Sequence, residues 1–291
     1  MARIRPTDVV ITGAAALTVA PGASITPARW VGNPARLSRM DRLCALALVA
    51  CDGALGDAAL APTAAEWNGE RTAIVLGTAY GCHATNEDYY RGLVREGTGS
   101  PRLFAYTLPS SPVGEISIHY GVRGPTLVLA NGVAAGLDAL AEGVALVAEG
   151  RADRALVCAA EVATPLLAAI RAGAANGDVA ALVDAAAALV VERTTDASAR
   201  GATPRGRMLA AAAAFRAGDG AAAARDATAA ALAAADVPPA AARRLDNAPG
   251  ALGAAALVAL ARMLAKGAPD ERLLVCDGDD GGAGAAIVVA A

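Results

Sequence analysis

The feature that most constrains this chain is a strand, a tight turn and a helix start with nothing reactive at the turn. Gly124-Pro125 opens an apolar run, Thr126-Leu127-Val128-Leu129-Ala130. Asn131-Gly132-Val133-Ala134-Ala135-Gly136 follows, then the helix-forming Leu137-Asp138-Ala139-Leu140. Such a turn lifts one side chain to a helix N-terminus, where backbone N–H groups and the dipole stabilise an anion. Enzymes that attack a carbonyl place Cys or Ser at this apex. Here the apex is Val133, which can neither attack nor lose a proton.

The segments around the turn alternate between strand and helix. Val9 to Gly13, Thr72 to Gly77, Arg154 to Ala159 and Ala185 to Glu192 read as short buried strands. Helical pattern fills Met40 to Leu55, with Asp41 near its start, then Asn86 to Glu96 and Leu137 to Glu149. Another helix starts at Pro109-Ser110-Ser111-Pro112 and turns Val113, Ile116 and Tyr120 inward. This alternation predicts an α/β protein with a mainly parallel sheet.

Composition shifts after about residue 200, and the chain from Met208 to Ala242 is close to low complexity in alanine. Met208 to Phe215 reads as strand or helix, and Ala221 to Ala235 as a helix ended by Asp236-Val237-Pro238-Pro239. A helix is expected from Asp246-Asn247-Ala248-Pro249-Gly250 to Lys266-Gly267. Two antiparallel strands, Leu273 to Cys276 and Ala285 to Val289, close the order. The later elements echo the earlier ones, which points to an internal duplication despite little shared sequence. The expected organisation is an N-terminal half, 1–200, and a shortened C-terminal half, 201–291, in one compact unit.

The totals exclude several function classes. A formal net charge of -3 and 3% aromatic residues argue against nucleic-acid binding. Mean hydropathy is high at +0.42, but Arg, Asp, Gly and Pro interrupt every apolar stretch before it could cross a bilayer. The start, Met1 to Asp8, does not read as a signal peptide, so a cytoplasmic location is expected. Cys44, Cys51, Cys82, Cys158 and Cys276 form no CxxC pair, which suggests neither a zinc site nor a disulfide framework. His83 and His119 are the only histidines, so acid–base or metal chemistry has little to draw on. No metal or cofactor is expected.

Taken in order, these segments resemble the β-ketoacyl synthase family, which has the thiolase fold. The resemblance rests on Val9 to Gly13 as the opening strand and Thr107 to Pro125 as the stretch before the turn. Arg151 to Glu161 is similar to the strand after it, and Asp184 to Arg193 to the strand closing the first half. Gly253-Ala254-Ala255-Ala256 and Asp280-Gly281-Gly282 match a helix start and a terminal glycine turn. The resemblance implies an α/β layered fold of two similar βα halves, each with a mixed sheet, the second truncated.

The departures from that family bear on function. Its working members carry a Cys where this chain has Val133, and a helix-start His where it has Gly250. The family's other His lies in a His-Gly-Thr-Gly-Thr run, which is missing here. One subfamily, the chain-length factors of type II polyketide systems, keeps the fold without the Cys. Its turn commonly reads Gln then Ala-Gly-Gly-Leu-Asp-Ala-Leu; this chain has Ala134-Ala135-Gly136-Leu137-Asp138-Ala139-Leu140 and no Gln. With its shortened second half the chain resembles the compact members of highly reducing, polyene-forming systems more than those of aromatic pathways.

That resemblance implies a non-catalytic subunit that heterodimerises with an active ketosynthase and meets an acyl carrier protein through the complex, with no nucleic acid or membrane partner. By the same resemblance Tyr80, Leu103, Phe104 and Leu108 would line an acyl tunnel; ordinary core packing is the competing reading. The dimer contact would involve Pro109, Pro112, Thr126, Leu127, Val128, Leu129 and Ala130. Two other functions stay open: a divergent stand-alone acyltransferase or thiolase-like enzyme using Cys82 or another group, and a structural or lipid-binding homodimer. Against the first, adjacent Cys82 and His83 in an extended chain point to opposite faces. Cys158, in a buried strand, is expected to be inert.

Overall fold

The computed structural model describes residues 8–25, 34–37, 39–174, 181–266, 272–278 and 283–290. The first half runs β1 (Val9–Val19), α1 (Pro34–Leu37), α2 (Arg42–Asp57), β2 (Thr72–Gly77), α3 (His83–Glu96), α4 (Pro101–Phe104), α5 (Ser111–Tyr120), β3 (Thr126–Leu129), α6 (Ala135–Ala148), β4 (Arg154–Glu161), α7 (Pro165–Ala174) and β5 (Asp184–Arg193). The second runs α8 (Thr194–Ala199), β6 (Gly206–Phe215), α9 (Gly220–Ala235), β7 (Arg243–Arg244), α10 (Ala255–Lys266), β8 (Arg272–Gly278) and β9 (Ala283–Ala290).

The strands form one sheet in the order β3-β2-β4-β5-β1-β6-β9-β8-β7. It is mixed, which corrects the mainly parallel sheet predicted from alternation alone. β2 runs parallel to β3 and β4, and β7 to β8, while β4–β5, β5–β1, β1–β6, β6–β9 and β9–β8 are antiparallel. Alternation implies parallel neighbours only where each crossover returns the chain in the same direction. Here β5 follows β4 in the opposite sense.

The order is its own mirror. Read from one edge, β2-β4-β5-β1 repeats as β7-β8-β9-β6 from the other, with the same parallel and antiparallel senses. The halves join through β1 and β6, where Val10 faces Arg207 and Ile11 faces Gly206. Among the described residues the second half has no counterpart of β3. Everything that lies between β2 and α6 in the first half is replaced there by residues 245–254. The expected duplication is therefore visible in topology.

Helices cover both faces of the central strands, which is why β4 and β5 are buried almost throughout and read as continuous apolar runs. Alternate residues divide between two cores. Ala155, Val157 and Ala159 of β4 pack with Leu137, Leu140 and Val144 of α6 and Leu257, Leu260 and Leu264 of α10. Leu156, Cys158 and Ala160 pack with Leu43, Leu46, Ala47 and Cys51 of α2 and Ile116 of α5. Asp41 caps α2 by accepting from Cys44 N at 2.8 Å.

Met208 to Phe215 is a strand. The last helix starts at Ala255, later than expected, because Gly250 (φ 71°) and Leu252 (φ 48°) hold left-handed backbone that no helix continues through. The sequence reading assigns no element between β4 and β5, where the structure has α7. The turn Asp280-Gly281-Gly282 lies outside the described residues.

Candidate functional site

β3 delivers the chain to the turn 131–134, and α6 begins at Ala135. No side chain caps α6; its first turn is closed by backbone alone, with Ala135 N donating to the Gly132 carbonyl at 3.1 Å and Leu137 N and Asp138 N to the Ala134 carbonyl at 3.0 Å. Val133 is half-buried there. The polar groups of the turn are Asn131, whose Nδ2 donates to Asp138 Oδ2, and Asp138 itself, whose carboxyl burial pushes up. An amide tied to a carboxylate offers no nucleophile.

The second half supplies no imidazole. At Gly250 an added Cβ would stand 2.1 Å from the Ala181 carbonyl oxygen, and φ is 71°. No side chain fits, histidine included. The link 245–254 between β7 and α10 likewise holds no histidine.

His83 and His119 lie elsewhere. His83 Nε2 is 3.4 Å from Thr164 Oγ1, and its ring stacks edge-on to Tyr80 with centroids 6.0 Å apart. His119 packs against the Tyr120 ring at 4.7 Å. Burial holds both imidazoles below the ordinary histidine value, which disfavours their charged forms.

The four cysteines whose side chains are described, Cys44, Cys51, Cys82 and Cys158, are unactivated. Cys82 donates its thiol proton to the Thr107 carbonyl while His83 turns toward Thr164, and burial raises the Cys82 thiol. No thiolate–imidazolium pair can form across these two residues. Cys51 is raised by its hydrogen bond to Cys158 and by burial. Cys158 is fully buried in β4. Burial, then Asp41, raise Cys44.

Of the four tunnel candidates, Tyr80 lines an apolar pocket of about 280 Å³ with His83, Tyr90, Leu166, Leu167 and Ile170. Arg171 Nη1 donates to the Tyr80 hydroxyl at 3.0 Å beside it. Leu103 is half-buried on α4 and does not reach this pocket. Phe104, 62% exposed, meets the Tyr89 ring at 5.8 Å, and Leu108 is equally exposed. Ordinary core packing therefore does not describe Phe104 or Leu108. Sequence reasoning missed Leu166, Leu167 and Ile170; their i, i+1, i+4 spacing on α7 was the available signal.

β3 is an edge strand whose outer side is unpaired among the described residues. Thr126, Leu127 and Ala130 are exposed, Val128 and Leu129 half-buried. Pro109 is half-buried, and Pro112 is buried within the chain. Tyr90, Val94, Phe104, Leu108 and Ile170 add further exposed apolar surface. Among the described residues no acidic, Cys or His cluster could hold a metal ion, and no helix is long and apolar enough to cross a membrane.

Comparison with known proteins places this geometry. The family model for the β-ketoacyl synthase N-terminal domain matches residues 11–224. The tetracenomycin polyketide synthase ketoacyl synthase alpha subunit of Streptomyces glaucescens is 36% identical over 160 residues, 50% of this chain and 37% of that relative. Nodulation protein E of Rhizobium leguminosarum bv. trifolii is 33% identical over 120 residues, 40% of this chain and 29% of that relative. The chain thus spans 37% and 29% of the length of these two curated relatives. Among solved structures, the ishigamide ketosynthase/chain length factor superposes with TM-score 0.81 at 23% identity, covering 97% of this chain and 99% of that one. A type II acyl-carrier protein complex with its ketosynthase superposes with TM-score 0.79 at 17% identity, covering 99% and 100%. These similarities establish the thiolase-like fold.

Proposed function

The chain belongs to the β-ketoacyl synthase family, and within it we propose the role of a non-catalytic chain-length factor in type II polyketide biosynthesis. The observation that carries this reading is Val133 at the turn, together with a Gly250 site that no side chain can occupy. A condensing enzyme needs a nucleophile there and a proton-handling partner from the second half. This chain offers neither.

In the proposed role the chemistry takes place on the partner ketosynthase, with substrate carried by an acyl carrier protein. The apolar edge of β3 supports the pairing, since an unpaired edge strand with exposed Leu127 is a template for another chain. The pocket beside Tyr80 supports a part in shaping the acyl tunnel, because an apolar cavity ends where its bulkiest side chains stand.

Co-expression tests the proposal. The tagged chain is purified with and without the ketosynthase encoded beside it, and light scattering gives the mass of the eluted complex. A one-to-one heterodimer that forms only with the ketosynthase is expected. A homodimer that leaves the ketosynthase behind refutes the role.

A further inference from the structure

Glu161 ends β4 on the face that meets α6 and α10, and it is fully buried. Strand pairing puts Ala185 of β5 beside it. Its Oε1 accepts from Thr78 Oγ1 at 3.1 Å and from the Ala79 backbone N–H. Thr78 Oγ1 in turn accepts from Gly81 N at 3.0 Å. One carboxyl oxygen therefore fixes the loop from Thr78 to Gly81, and that loop carries Tyr80.

The other side of the clasp is the second half. A Cβ added at Gly253 would stand 2.7 Å from both Glu161 Oε1 and Ala79 N, so the turn 252–254 is pressed directly against the pair. Leu252, 7% exposed, holds φ 48° in that turn. A bulky residue in left-handed backbone persists only where its surroundings determine it. Glu161 Oε2 is buried without a hydrogen-bond partner. Such an arrangement is costly to keep for stability alone.

We infer that Glu161 is a positioning residue, holding the Tyr80 loop against the turn that opens α10 and so setting the wall of the apolar pocket. The inference rests on the chain-length reading of that pocket. Burial, outweighing the amides of Ala79, Tyr80 and Gly253 and the Thr78 hydroxyl, pushes the carboxyl up to about 7. The clasp therefore changes charge within the working range of a cell. His83 and Glu87 line the same pocket, with burial holding the imidazole low against the opposing pull of Glu87, and the Glu161→Gln variant separates their titration from that of Glu161. Tyr80 presents its backbone, with its phenol engaged by Arg171; Asp184, beside Ala185, is held by Arg42 and the Ala163 N–H; Leu252, Gly253 and Ala254 carry no charge.

The test uses the complex with the neighbouring ketosynthase and its carrier protein. Product lengths are read by mass spectrometry from pH 6 to 8 for the wild-type chain, Glu161→Gln and Glu161→Ala. The wild-type ratio of the two main lengths is expected to move at least about twofold across that range, and Glu161→Gln to hold it constant. Glu161→Ala should give a different ratio at every pH. A Glu161→Gln ratio that titrates like the wild type overturns the inference. Hydrogen exchange on the isolated chain provides a second reading. Loss of the clasp in Glu161→Ala is expected to speed exchange at Ala79 and Gly81 at least about tenfold, with Glu161→Gln close to wild type. Failure of the complex to form counts against the chain-length role, while unchanged exchange counts against the clasp. Faster exchange with unaltered product lengths in an intact complex also overturns the positioning role.

Discussion

Replacing Glu161 with Gln removes one ionisation and leaves the oxygen that accepts from Thr78 and Ala79. The consequence for stability can be worked through. In the folded chain the carboxyl titrates at about 7, against 4.5 for an ordinary glutamate. Below 4.5 both folded and unfolded chains hold the proton, and stability is unaffected. Between the two values the unfolded chain has released it and the folded chain has not, so stability falls as pH rises. Above 7 the loss is complete. At 1.36 kcal/mol per unit, the total is about 3 kcal/mol. For a chain of this size that corresponds to about 5 °C in Tm. The assay is thermal or urea unfolding of wild type and Glu161→Gln in matched buffers from pH 4 to 8.5. Subtracting the variant cancels every other titrating group. The wild type should lose about 3 kcal/mol relative to the variant, with most of the change between pH 4.5 and 7. A difference that stays flat with pH refutes the burial argument, and a difference of opposite sign refutes the stated balance between burial and amide donors.

Three further outcomes are expected. Leu127→Lys places a charge on the free edge of β3 and should weaken the ketosynthase complex at least about tenfold by light scattering or calorimetry, with little change in the chain's own Tm. Tyr80→Ala should enlarge the apolar pocket and lengthen the main product, read by mass spectrometry; an unchanged length contradicts the tunnel assignment. Val133→Cys restores a thiol at the turn without any imidazole to serve it, so the isolated variant should show no condensation above the no-enzyme control. Turnover by that variant alone would show that the missing second-half residues are dispensable.

Much of the framework was legible because its signals are local. Thr72 to Gly77 is an unbroken apolar run, and the strand appears with those bounds. The turn at Val133 was readable because a strand, small residues and a helix start occur within one short window. The sheet's mixed sense was not, since which neighbour β5 joins is decided by long-range packing. The late start of α10 was hidden for a similar reason. Leu252 takes a conformation that local preference disfavours and tertiary contact imposes. The pocket was half legible: Tyr80 was placed by resemblance, whereas Leu166, Leu167 and Ile170 come from a helix the alanine-rich stretch disguised. Glu161 was visible only as part of a strand match, because its role depends on Thr78 and Gly253, each far away in sequence.

The two ends of the long sheet are unlike. One is β3, with an exposed leucine on an open ladder; the other is β7, a two-residue strand that presents two exposed arginines at the end of the sheet order. A sheet with two adhesive ends would add copies without limit and grow into filaments. Charged side chains on a very short strand discourage such addition. With only one adhesive end, growth stops after a single joining event. In the proposed role this asymmetry fits a chain that pairs once, through β3, and does not polymerise.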